Sequence, residues 1–135
     1  MAVYLEFVVL GPPVSNQTPG PNLTTWRATV AGEARLQWAN PPLTGELKAI
    51  IVNFYTGNKP SVDVDNMSKP ILDVMQTIVY DDDRQIVQAE IIHTKIGAAY
   101  AILGVRPIVV AALQAGNHFL YVRIEDPVNP LPLPK

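Results

Sequence analysis

The chain contains no cysteine, which excludes disulfides, thiolate-bound zinc, iron–sulfur clusters and thiol catalysis together. Histidine is nearly as scarce: His93 and His118 are the only two, too few for a histidine-rich metal centre. Charged residues make up just 16% of the sequence, and the formal net charge is −2. The N-terminus shows neither a basic stretch nor a small-residue cleavage site, so a cytoplasmic protein is expected. A membrane span is also missing. Residues 96–116 are apolar over roughly the right length, but Arg106 and Pro107 interrupt them and Gly97 and Gly104 divide the run. A central arginine alone costs about 2.5–3.5 kcal/mol on insertion. A hairpin followed by a core or interface helix is the better expectation there.

What the sequence does contain is material for one folded domain. Its 135 residues are 48% apolar, enough to build a core without staples and too apolar for general disorder. The domain is expected over residues 1–126, followed by a proline-rich, extended tail over 127–135. Alternating and β-branched runs predict strands at 3–10, 46–55, 84–96, 99–105 and 118–125. A first helix is expected from a cap at Thr24 or Thr25 to about Trp38, with Trp26, Val30, Ala34 and Trp38 along one face. A second is expected after Asp65 or Asn66, with Pro70 tolerated near its start and Ile71, Leu72, Met75, Ile78 and Val79 at helical spacing. Pro107 and Gly116 bracket a third. These elements predict an α+β (mixed α/β) fold, a small sheet of four or five strands with helices on one face.

The charges are unevenly placed. Between Ser61 and Asp83 six acids stand against the single base Lys69, a local net charge of −5, which leaves +3 for the remainder. Asp63 and Asp65 alternate, so an extended segment would point both the same way. Asp81, Asp82 and Asp83 follow the second helix. Hard oxygen ligands gathered in this manner suit Mg²⁺ or Mn²⁺. Lys69 in a first helical turn is disfavoured by the helix dipole, so local propensity does not account for it. Each feature also has a plain explanation: caps for Asp65 and Asn66, a solvated turn for Asp81–Asp83, and a surface ion pair for Lys69 and Asp73. A calcium loop fails, because Met67 and Ser68 occupy ligand and glycine positions and Val74 replaces the closing Glu. Phosphate-binding and nucleophile-elbow motifs are absent.

The run Asp63-x-Asp65-Asn66-x-x-Lys69-x-x-x-Asp73, followed by Tyr80-x-Asp82-Asp83-x-Gln85-Ile86, resembles the signature of the RusA-type Holliday junction resolvases. Gly-Pro-Pro-Val-Ser-Asn at 11–16 and the flanking strands extend the likeness, whereas residues 98–117 are longer than the hairpin of the shortest members. The resemblance implies a homodimeric, Mg²⁺-dependent endodeoxyribonuclease that nicks four-way or branched DNA in pairs. Carried over by position, it implies Asp63, Asp65 and Asp83 as catalytic metal-binding carboxylates, Lys69 as the catalytic lysine and Asp82 as a further acid at the metal. Asp73 would hold Lys69. Lys59, Arg27 and Arg84 are the expected DNA contacts, and Arg35 is ordinary surface charge. The rival readings are a flap- or fork-cutting nuclease and a non-enzymatic dimeric DNA-binding module with a structural cation site.

Overall fold

The structure, a computed structural model, describes residues 2–18, 20–101 and 103–135. In chain order the elements are β1 (Val3–Leu10), α1 (Pro21–Gln37), β2 (Leu47–Tyr55), α2 (Val64–Met75), a 3-10 turn (Asp83–Gln85), β3 (Ile86–Lys95), α3 (Pro107–Ala115) and β4 (Phe119–Glu125). The strands form one sheet in the order β1-β4-β2-β3. β4 is antiparallel to both β1 and β2, whereas β2 and β3 run parallel. A parallel pair needs a crossover, and α2 supplies it. The α+β architecture with four strands is therefore as the sequence predicts.

The central strands β2 and β4 are buried on both faces, which is why LKAIIVNFY and FLYVRIE read as nearly unbroken apolar runs. On one face Phe7, Ile51, Leu120 and Val122 meet Trp26, Val30 and Ala34 of α1 and Met67, Ile71 and Met75 of α2. The expected placement of helices on one face holds for these two. α3 lies on the opposite face, where Val109 packs with Phe54, Phe119 and Tyr121. The Phe54 and Phe119 rings stack there with centroids 4.4 Å apart. The apolar 98–115 stretch thus contributes to core, because β2 and β4 present aliphatic residues to α1 and α2 on one side and the aromatic Phe54, Phe119 and Tyr121 on the other, which need a second cover.

Several boundaries differ from expectation for local reasons. α1 begins at Pro21 rather than at a threonine cap; Gly20 takes the cap position and Pro21 the first turn, where a missing N–H is harmless. The strand expected over 99–105 is absent among the described residues, one of its positions (102) lying outside them. β3 starts two residues late because the 3-10 turn occupies Asp83–Gln85. In the tail, Gln88 holds Val128 twice: its Nε2 donates to the Val128 carbonyl at 3.0 Å, and its Oε1 accepts from the Val128 amide at 2.9 Å. Residues 129–135 are exposed. Among the described residues no helix is long and apolar enough to cross a membrane.

Candidate active site

The start of α2 gathers the first group of singled-out residues. Asp63 is the N-cap: its Oδ1 accepts from the Asn66 amide at 2.9 Å and its Oδ2 from the Asn66 side-chain amide at 3.2 Å. The cap therefore lies two or three residues earlier than expected. Because the helix begins at Val64, Asp65 belongs to its first turn, and the alternation expected of an extended segment does not apply. Both carboxylates remain exposed. One turn on, Lys69 Nζ stands 3.4 Å from Asp73 Oδ2. An exposed i,i+4 pair of this kind contributes a few tenths of a kcal/mol at most, so it positions the ammonium more than it stabilises the fold.

Pro70 lies deeper than predicted, at the seventh residue of α2 and inside it. Its missing N–H deprives the Asn66 carbonyl of its helical donor. The Asn16 amide takes that place at 2.9 Å. A sharp local defect thus ties the β1–α1 loop to the turn that carries Asp63 and Asp65.

The second acidic group is fixed elsewhere. Asp82 caps the 3-10 turn and accepts from the Arg84 amide at 2.9 Å, from Arg84 Nε at 3.2 Å and from Arg84 Nη2 at 2.7 Å. The Arg84 guanidinium holds the Asp82 carboxyl well below the usual carboxylate range, and Asp82 in turn raises Arg84. Gln85 Oε1 accepts from the Asp81 and Asp82 amides at 2.9 Å, while its Nε2 donates to the carbonyls of Leu43 and Gly45. This anchors the acids beside the N-terminal end of β2. The buried Tyr80 donates its hydroxyl to the Leu72 carbonyl at 2.5 Å. Burial, with the charges of Asp73 and Asp83, pushes that hydroxyl above its ordinary range.

Asp63 and Asp65 therefore open α2, whereas Asp81, Asp82 and Asp83 lie past its end. The twelve residues of α2 are eleven rises of about 1.5 Å, which puts about 17 Å of helix between its first and last residues. Among the described residues no three His, Asp or Glu side chains stand together closely enough to hold a metal ion. Mg²⁺ is commonly bound by one or two carboxylates completed by water and substrate phosphate. Asp63 and Asp65 fit that pattern in donor type and exposure. Asp83 is not brought to them, and Asp82 is already committed to Arg84.

The cations expected at DNA divide in the same way. Lys59 is exposed in the loop that leads to Asp63, Arg27 is half-buried on α1, and Arg84 lies at the far end on Asp82; Arg35 is exposed on α1. Sequence reasoning missed Asn53, a fully buried amide between the two histidines. Its Nδ2 lies 3.1 Å from His93 Nδ1 and its Oδ1 2.7 Å from His118 Nε2. A polar residue in the middle of the apolar run AIIVNFY was the available signal.

An exposed helix start bearing two acids and a lysine, on a four-stranded α+β domain, is the arrangement the fold defines. The family model for Endodeoxyribonuclease RusA matches residues 16–101, nearly two thirds of the chain and the whole stretch from Asp63 to Arg84. The chain belongs to the RusA endodeoxyribonuclease family. No curated protein matches it closely enough to stand as a named relative.

Proposed function

We propose that the protein is a metal-dependent, homodimeric endonuclease that resolves four-way DNA junctions by paired nicks in the cytoplasm. The observation that carries this reading is the family match, which encloses Asp63, Asp65 and Lys69 together on the exposed start of α2. Asp63 and Asp65 would hold a Mg²⁺ or Mn²⁺ ion. Such an ion, when bound, activates water and neutralises charge on a phosphodiester undergoing attack. The chain's own residues do the rest. The Asp63 carboxylate is oriented by its two bonds to Asn66, and Asp65 stands in the first turn beside it. Lys69, steadied by Asp73, presents an ammonium to the attacking or the leaving oxygen. Lys59 and Arg27 contact phosphates of the bound arms. Asp83 and Asp82 serve as further acids of the site, as the family resemblance implies, although one chain by itself holds them at the other end of α2. Two-fold symmetry suits a substrate with two equivalent strands to cut.

The test is cleavage of an end-labelled four-way junction in Mg²⁺, in Mn²⁺ and in EDTA, with duplex, flap and fork controls. Paired nicks near the crossover that vanish in EDTA and in Asp65→Asn are expected. Equal cutting of forks and flaps would replace junction resolution with a broader branch nuclease. Binding without cutting in either metal would leave a DNA-binding module.

A further inference from the structure

Beside the start of α2 lies a groove of about 580 Å³, bounded by the β1–α1 loop, the first half of α1 and residues 61–62. Its apolar side is formed by Pro13, Val14, Trp26 and Val62, and its rim by Thr18, Asn22, Thr25 and Ser61. No described residue lining it carries a charge. On a protein whose family acts on a polyanion, an uncharged groove with a hydroxyl and amide rim suits the uncharged part of the polymer. Pockets of this size and make-up, apolar with a few placed polar groups, are typical of small organic ligands. Trp26 lines the groove and is only 6% exposed, so this wall is fixed by the core in which the ring packs. The groove also adjoins the acids, since its lining residues Ser61 and Val62 run directly into Asp63.

We infer that this groove receives one unstacked nucleobase of the DNA strand, within a nucleotide or two of the phosphate held at Asp63 and Asp65. The inference rests on the nuclease reading above and adds to it a specificity pocket. A four-way junction supplies such a base cheaply, since pairing and stacking are already weakest at the point where strands cross. The hydroxyls and the amide of the rim meet the base edge, and the apolar side takes its face. The Asn16–Asn66 bond keeps the pocket in register with the acids.

The experiment scans single abasic sites through the nucleotides flanking the cleavage point of a synthetic junction. Affinity is measured with Asp65→Asn protein, so that binding is read without cutting. One abasic position is expected to weaken binding on the order of tenfold, the usual worth of one held base. The exposed Thr25 replaced by Trp fills the groove. Asp65→Asn/Thr25→Trp should bind the intact junction about tenfold less tightly and be indifferent to the same abasic site, while Thr25→Ser restores the sensitivity. Asn22→Ala, which only trims the rim, gives an independent arm in case the tryptophan variant does not fold, and should blunt the abasic effect. A flat scan, or equal abasic sensitivity in the filled and open proteins, overturns the inference while wild-type nicking keeps the nuclease reading intact. Failure of the protein to bind or cut any branched DNA overturns both.

Discussion

Asn53 offers the most demanding test of how the fold positions the site. It lies on β2 with no exposed surface, and its one amide engages both histidines, His118 through Oδ1 at 2.7 Å and His93 through Nδ2 at 3.1 Å. Truncation by Asn53→Ala removes two hydrogen bonds, worth about 0.5–1.5 kcal/mol each, and leaves a ring nitrogen on either side without its partner, a further cost of about 1 kcal/mol. The expected loss is therefore roughly 3 kcal/mol, or about 10 °C in Tm for a domain of this size. Packing loss alone could mimic that total, so the decisive measurement is a double-mutant cycle with His118→Ala. Urea unfolding of the four proteins, with m held constant, should give a double mutant less destabilised than the sum by at least about 1 kcal/mol. Additivity within 0.5 kcal/mol would refute the bridge and reduce Asn53 to a space-filling residue.

The caps and charges of α2 make further predictions that separate chemistry from stability. Asp63→Asn retains an N-cap and should fold with wild-type stability but lose nicking, whereas Asp63→Ala should in addition lose about 1 kcal/mol in urea. The Asp65 side chain accepts no hydrogen bond among the described residues, so Asp65→Asn should abolish cleavage with a stability change within about 0.5 kcal/mol; a large loss of stability would mean a structural cation site. Burial lowers the His118 pKa below its ordinary 6.5, so the folded state favours the neutral ring. Its contribution to stability is complete above the unfolded value and is lost as pH falls through the lower folded one. Urea midpoints should therefore decline from pH 7.5 to 5, and more steeply than in His118→Gln; parallel curves would remove His118 as the cause. Pro70→Ala should change stability by no more than about 1 kcal/mol, since Asn16 already supplies the donor that Pro70 lacks, but should speed hydrogen exchange at the Asn16 amide as residue 70 competes for the Asn66 carbonyl.

Strong local signals were legible in the sequence. β1 at Val3–Leu10 and the body of α2 were plain because period-two and helical patterns coincide with real burial: Leu5, Phe7 and Val9 face inward, as do Ile71 and Met75, whereas Ile78 and Val79 of the same helical pattern lie past the end of α2 at Met75. The errors cluster where a tertiary partner overrides a local rule. Thr24 and Thr25 are reasonable caps, but Gly20 and Pro21 begin the helix a turn earlier and leave Thr24 bonding back to the Gly20 carbonyl. Pro70 is an ordinary first-turn residue by local rules. It sits at the seventh position because Asn16, more than fifty residues upstream, satisfies the carbonyl it orphans. The side on which α3 packs is invisible to periodicity, since PIVVAALQA is apolar nearly all round and gives no preferred face.

The acidic residues show how far spacing alone reaches. In the sequence, Asp63, Asp65 and Asp83 lie within about two dozen residues and read as one group. The β2–α2–β3 unit separates them. A crossover helix returns the chain from the C-terminal end of one strand to the N-terminal start of its parallel neighbour, so α2 begins after Tyr55 and the 3-10 turn ends beside Leu47. Asp63 and Asp65 consequently stand at one end of the helix and Asp81–Asp83 past the other, locked there by Gln85 to Leu43 and Gly45. What one chain presents in one place is the pair Asp63 and Asp65, with Lys69 a turn away and the uncharged groove beside them. Residues of this kind define an electrostatic gradient along α2's first two turns: acids at the positive end of the helix, an ammonium behind them, and Lys59 in the approaching loop. On the proposals made above, a phosphate with its metal ion would meet that sequence of charges, and a neutral base would lie in the groove beside it.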